Sequence, residues 1–132
     1  MTARVVCDAS AVVALLLEAG PDGQWATSKL SGAALAAPSL VMFESSNIIR
    51  RHELAGLVSA DQAAQAHADL LDLQIELWPY QLLAARVWQL RANLSSYDAN
   101  YVALAELIEA SLLTLDQRIG RAPGPKCTVV TP

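Results

Sequence analysis

No apolar run in the 132 residues is long enough to cross a bilayer, which takes roughly 20 residues. The longest, Val12 to Leu17 behind Ala11, is the length of a strand or a short helix. The opening MTARVVCDAS lacks the order of charge, apolar stretch and cleavage site of a secretory leader, so a cytoplasmic protein is expected. Cysteine is scarce: Cys7 and Cys127 stand alone, outside any metal-like spacing, and read as two reduced core thiols. There is no Gly/Ser-rich linker, low-complexity tract or internal repeat, which leaves one domain over 1–132. No glycine-rich phosphate loop appears, which disfavours nucleotide binding. Excess positive charge is missing too. The formal net charge is −4, so a partner rich in phosphate would need local basic residues or bound cations. What the chain does have is apolar content, 54% with a mean hydropathy of +0.32. That suits a real core and suggests apolar surface meant for a partner.

The apolar residues fall into short runs alternating with amphipathic ones. Arg4 to Cys7 reads as a strand, Ser10 to Glu18 as a helix stopped by Ala19-Gly20-Pro21, and Gly23 to Leu30 as a second helix. Ala33 to Ala37 reads as a weak strand, and Pro38 as the first turn of a helix ending near Ala55 before Gly56. Ser59-Ala60-Asp61-Gln62 is a capping box opening an alanine-rich helix. Ile75 to Trp78 is a short strand closed by Pro79. Leu83, Val87, Leu90 and Leu94 have helical spacing, as do Tyr97, Tyr101, Leu104 and Ile108. Leu112 to Leu115 and Cys127 to Val130 are the last strands. Strands alternating with helices imply parallel pairing and right-handed crossovers. The expected fold is a three-layer α/β/α sandwich around a mostly parallel sheet of about five short strands.

Four carboxylates are placed to meet. Asp8 and Asp116 follow strands, Asp98 lies in the first turn of a helix, and Glu44 lies in the second turn of the helix after Pro38. Strand ends and helix starts share one edge of a parallel sheet, where open α/β folds bind ligands. Each acid alone has a structural role available. Asp8 can cap the next helix, Asp98 fits a capping box with Ser95, and Asp116 can cap a turn before Gly120. Glu44 is harder to place that way, because it interrupts an apolar stripe of Leu40, Val41 and Ile48, with Asn47 near enough to orient it. Together the four acids would repel one another, and a hard divalent cation, Mg²⁺ or Mn²⁺, would relieve that. Ser10 and Thr114, two residues from Asp8 and Asp116, are placed to support the carboxylates or a water. Arg50, Arg51, Arg118 and Arg121 are candidate phosphate contacts, or equally solvated surface charges. His52 and His67 read as surface residues.

The segments VVCDASAVVALLL, APSLVMFESSNIIRR, LSSYDANYVALAE and LLTLDQRIGRA resemble the four motif regions of PIN domains, and most of all the VapC-type toxins. The resemblance runs nearly end to end. It implies a metal-dependent endoribonuclease, the toxin of a toxin–antitoxin pair, with Asp8, Glu44, Asp98 and Asp116 as the acidic centre. Asp8 and Asp98 would be the direct metal ligands, with Glu44 and Asp116 acting directly or through water. Ser10 and Thr114 match supporting polar positions. The implied chemistry is hydrolysis of RNA by a water activated on Mg²⁺ or Mn²⁺, with Glu44 as a candidate base.

The resemblance also implies a homodimer and a VapB-type antitoxin lying in an apolar groove, with operator DNA contacted only through the antitoxin. Trp25, Leu30, Leu57 and Val58 are groove candidates, Trp25 being the most exposed-looking, and Trp88 serves core or dimer. Two other readings compete. A phosphatase of the haloacid-dehalogenase type would want D-x-D where the chain has Asp8-Ala9-Ser10, and a receiver domain would want a lysine soon after Leu115. A non-catalytic interaction module with a structural metal would use the same acids only for stability.

Overall fold

The computed structural model of the chain describes residues 4–132; the reading of the leader falls partly on residues 1–3, outside that range. Five parallel strands form one sheet in the order β3-β2-β1-β4-β5. They are β1 (Arg4–Cys7), β2 (Ala34–Pro38), β3 (Ile75–Trp78), β4 (Ser111–Leu113) and β5 (Val129–Val130). In register, Val6 lies between Ala36 and Leu112. All three are fully buried, as expected of central parallel strands covered on both faces.

The helices are α1 (Ala9–Leu17), α2 (Pro21–Leu30), α3 (Leu40–Leu54), α4 (Ala60–Asp72), α5 (Ala84–Gln89), α6 (Ser96–Leu107) and α7 (Gln117–Arg121). Helices α1 to α4 pack on one another, while α5 packs on α6, and α6 lies along β1, β2 and β4. These are the outer layers of the expected sandwich. Local chemistry sets the helix ends. Asp8 caps α1, Pro21 opens α2, and Ser95 caps α6. The reciprocal box of Ser59 and Gln62 starts α4. Helix α3 stops where Gly56, at φ +75°, lets its N–H reach Glu53 O and the next N–H reach His52 O.

Several boundaries differ from the sequence reading. Pro38 is the last residue of β2, paired with Trp78, rather than the first of a helix. It stands at the end of the strand, past the last β1 partners, Val6 opposite Ala36, where a missing N–H ends the ladder rather than interrupting it. β4 ends at Leu113, because the N–H groups of Leu115 and Asp116 bond to the hydroxyls of Ser10 and Thr114 instead of to a strand. The stripe Leu83, Val87, Leu90 is buried as expected, but its helix ends at Gln89 and Leu94 lies beyond it. β5 holds only Val129 and Val130 of the expected run. A 3-10 turn at Tyr80–Leu82 and the five-residue α7 were not foreseen.

Candidate active site

The chain leaves β1 for β2 on one side and returns to β4 on the other. The ends of β1 and β4 are therefore a switch point of the sheet, the usual ligand position in open α/β folds. Asp8 emerges there, 7% exposed, with its N–H bonded to Leu113 O at 3.2 Å. Its carboxylate is fixed from both strands. Ser10 Oγ donates to Oδ1 at 2.6 Å, Ala11 N–H to Oδ1 at 3.1 Å, and Thr114 Oγ1 to Oδ2 at 2.5 Å. Leu115 N–H donates to Ser10 Oγ at 3.0 Å and Asp116 N–H to Thr114 Oγ1 at 2.9 Å. The two hydroxyls thus tie the loop after β4 to the acid after β1.

The other acids arrive from helices. Asp98 sits in the first turn of α6, its N–H on Ser95 Oγ at 3.1 Å. Only half of the expected box forms: the Ser95 N–H donates no hydrogen bond back to the Asp98 carboxylate. Glu44, in the second turn of α3, accepts a 2.5 Å hydrogen bond from Tyr101 on α6, one turn past Asp98. Asp116 caps α7, accepting Arg118 N–H at 2.9 Å, and forms a forked ion pair with the same guanidinium at 3.0 and 2.7 Å.

All four acids line one cleft of about 390 Å³, with Ser10, Asn47, Arg51, Tyr101 and Arg118 among its walls. Arg50 and Arg121 do not line it; Arg121 instead donates to Gln117 at 3.0 Å. Thr114 is fully buried behind Asp8. In the sequence Tyr101 is only one member of a helical stripe. Its hydroxyl role had no signal beyond lying three residues after Asp98.

The electrostatics divide the acids. Burial pushes the Asp8 carboxyl above its ordinary range, its hydroxyl and amide bonds pull against that, and the charge of Asp98 adds to it. Burial likewise raises Glu44, against the Tyr101 bond and with the charges of Asp8 and Asp98. Burial and the charge of Asp116 raise Asp98. Asp116 alone is lowered, held ionised by Arg118. Three carboxyls that resist ionising together, with hard oxygen donors facing one cleft, fit a divalent cation. Even so, among the described residues no group of three or more His, Cys, Asp or Glu side chains is already arranged to hold a metal ion.

A PIN-domain family model matches residues 5–125. This chain belongs to the PIN-domain family. Among its PIN relatives, a VapC ribonuclease of Mycobacterium bovis is 36% identical over 95% of both chains. Ribonuclease VapC1 of Mycobacterium tuberculosis is 37% identical over 94% of both. In fold, this PIN chain is similar to VapBC2 of Rickettsia felis, whose crystal structure holds a DNA fragment from its promoter. The TM-score is 0.68, with 13% identity, over 97% of this chain and 98% of that one. The α/β architecture expected from the sequence is thus the PIN fold. The groove candidates fare less well. Leu30 is buried in the core, Trp25 and Val58 are partly buried against it, and only Leu57, 70% exposed, stands out as pictured. Trp88 is largely exposed, with Arg91 stacked 4.6 Å from its ring centre.

Proposed function

We propose that the chain is a divalent-metal-dependent endoribonuclease and the toxin of a toxin–antitoxin pair. The observation that carries this reading is the convergence of Asp8, Glu44, Asp98 and Asp116 in one cleft at the switch point, with Asp8 fixed by two hydroxyls. The relatives' names, VapC ribonucleases matched over nearly their whole length, support the same reading. Asp8 and Asp98 would hold the cation, Mg²⁺ or Mn²⁺, with Glu44 and Asp116 completing the oxygen donors directly or through water. When bound, such a cation activates water and neutralises charge at the scissile phosphate.

The protein's own groups do the rest. Tyr101 occupies one oxygen of Glu44 and fixes its direction, which leaves the other oxygen to accept a proton from the attacking water. Arg51, Arg118 and Asn47 line the walls where a phosphate backbone would pass, and the two arginines supply the local positive charge that the net balance lacks. Hydrolysis in this arrangement leaves a 5′-phosphate and a 3′-hydroxyl. Partners follow from the same reading: a VapB-type antitoxin across exposed apolar side chains such as Leu54, Leu57 and Leu71, and a second copy as homodimer. Operator DNA belongs to the antitoxin. Among the described residues no helix is long and apolar enough to cross a membrane, and the proposed place of action is the cytoplasm.

The test is cleavage of an RNA pool by the antitoxin-free chain with Mg²⁺, Mn²⁺ or EDTA, beside Asp98→Asn. Metal-dependent cleavage is expected, reduced at least about a hundredfold in the variant, the usual scale for losing a catalytic electrostatic group. Equal cleavage by parent and variant would place the activity elsewhere.

A further inference from the structure

Both oxygens of Asp116 are occupied by a cation of the chain itself. Arg118 Nε and Nη2 approach Oδ1 and Oδ2 at 3.0 and 2.7 Å, and the Arg118 N–H adds a third bond to Oδ1 at 2.9 Å. Of the other acids, Asp8 accepts from the neutral donors Ser10, Thr114 and Ala11, and Glu44 from Tyr101. Asp116 is thus the one cleft acid held in an ion pair among the described residues. Nothing packs the guanidinium down: the Arg118 side chain is 82% exposed. What holds it is the turn of α7, which places donor and acceptor two residues apart. Arg51, the second arginine of the cleft wall, forms no ion pair among the described residues.

We propose that Arg118 is a built-in competitor for the divalent cation, withholding Asp116 from the metal in the free chain and leaving it for the RNA phosphate when the cation binds. This rests on the reading of the cleft as a divalent-metal nuclease centre. The physics is a contest for one carboxylate. A forked guanidinium uses the lone pairs that a hard cation would take, and its own charge repels the ion. A small octahedral cation needs donors in fixed directions, so Asp116 must turn or release its partner before it can contribute. Releasing an exposed pair costs little, since such pairs are worth about a kilocalorie or less. The freed guanidinium is then a planar donor suited to a phosphate.

The experiment is Mn²⁺ titration without RNA, by calorimetry and by electron paramagnetic resonance of the free ion. It uses the parent chain, Arg118→Gln, Arg118→Lys and Arg51→Gln, each checked for folding by circular dichroism. Arg118→Gln is expected to bind Mn²⁺ about tenfold more tightly, a conservative share of the repulsion between charges a few ångströms apart at a near-surface dielectric. Arg118→Lys, which keeps the charge and loses the fork, should fall between it and the parent, and Arg51→Gln should stay within about threefold of the parent. With Mn²⁺ saturating, Arg118→Gln should also raise KM for RNA. Unchanged or weaker Mn²⁺ binding in Arg118→Gln overturns the proposal, as does an equal gain in Arg51→Gln, which would mean diffuse electrostatics. If parent and variants all fail to bind Mn²⁺, the metal-nuclease reading falls as well. If the parent binds and Arg118→Gln matches it, only the competition falls.

Discussion

Asp8 is held where a carboxylate is least comfortable: buried at the sheet edge, with Glu44 and Asp98 across the cleft. Its folded pKa is raised above the unfolded value of roughly 3.9. The fold therefore disfavours its ionised form. Stability falls as pH climbs from the unfolded value through the raised folded one. Asp8→Asn removes that penalty and keeps the cap, since asparagine also accepts from the Ala11 N–H. At pH 7 the variant is expected to melt a few degrees above the parent, with the gap closing as pH falls below about 4. Its RNA cleavage should be lost. Calorimetry across pH decides the matter: a lower melting temperature at pH 7 would make the acid structural, as an interaction module requires. The acids were legible in the sequence because strand ends and helix starts share an edge. Tyr101 was not, because an aromatic on a helical stripe looks the same whether its hydroxyl is used or idle.

Helix α2 depends on one glycine. A Cβ on Gly23 would lie 1.7 Å from Glu18 O and 2.6 Å from Glu18 C, at the C-terminal end of α1. Alanine in a helix interior is favoured over glycine by about 1 kcal/mol, but here it meets backbone that no side-chain rotation can clear. Overpacking of that kind costs about 1–3 kcal/mol, and a contact this short belongs at or above the top of that range. Gly23→Ala is expected to destabilise the chain by a net 2 kcal/mol or so, about 6 °C in melting temperature, read by thermal unfolding. Unchanged stability would show that the two helices can slide apart freely. In the sequence Gly23 reads only as the start of a helix; that it marks a helix crossing is visible only in three dimensions. The same limit explains the other element-level differences. Ser59 and Gln62 announce α4 by local chemistry alone, and the expectation holds. β4 was read too long because the groups that end it, Ser10 and Thr114, come together from opposite ends of the chain. Pro38 reads as a helix start because proline suits a first helical turn, and nothing local reveals its pairing with Trp78.

At the scale of the molecule, exposed apolar surface also gathers away from the groove candidates read from the sequence. Phe43 and Tyr97, 74% and 62% exposed, line an apolar groove with Leu40 and Tyr80, contributed by α3, α6 and the 3-10 turn. Phe43 and Tyr97 immediately precede Glu44 and Asp98, so the groove adjoins the acidic cleft. Contiguous exposed aromatics from three elements are the kind of surface that interfaces use. A homodimer using this face would hold the starts of the two helices that carry Glu44 and Asp98. Phe43→Glu places a charge in the groove and adds to a balance already at −4. Light scattering is expected to show the parent at twice its 14.1 kDa and the variant at the single-chain mass. Mn²⁺ binding should survive, because every acid of the cleft comes from one chain. Cleavage separates two consequences: if it persists in the monomer, the second copy serves only to cover the groove, and if it is lost while Mn²⁺ still binds, the RNA requires both subunits. A parent that is already monomeric would remove the dimer from the proposed assembly and leave the aromatic face for another partner.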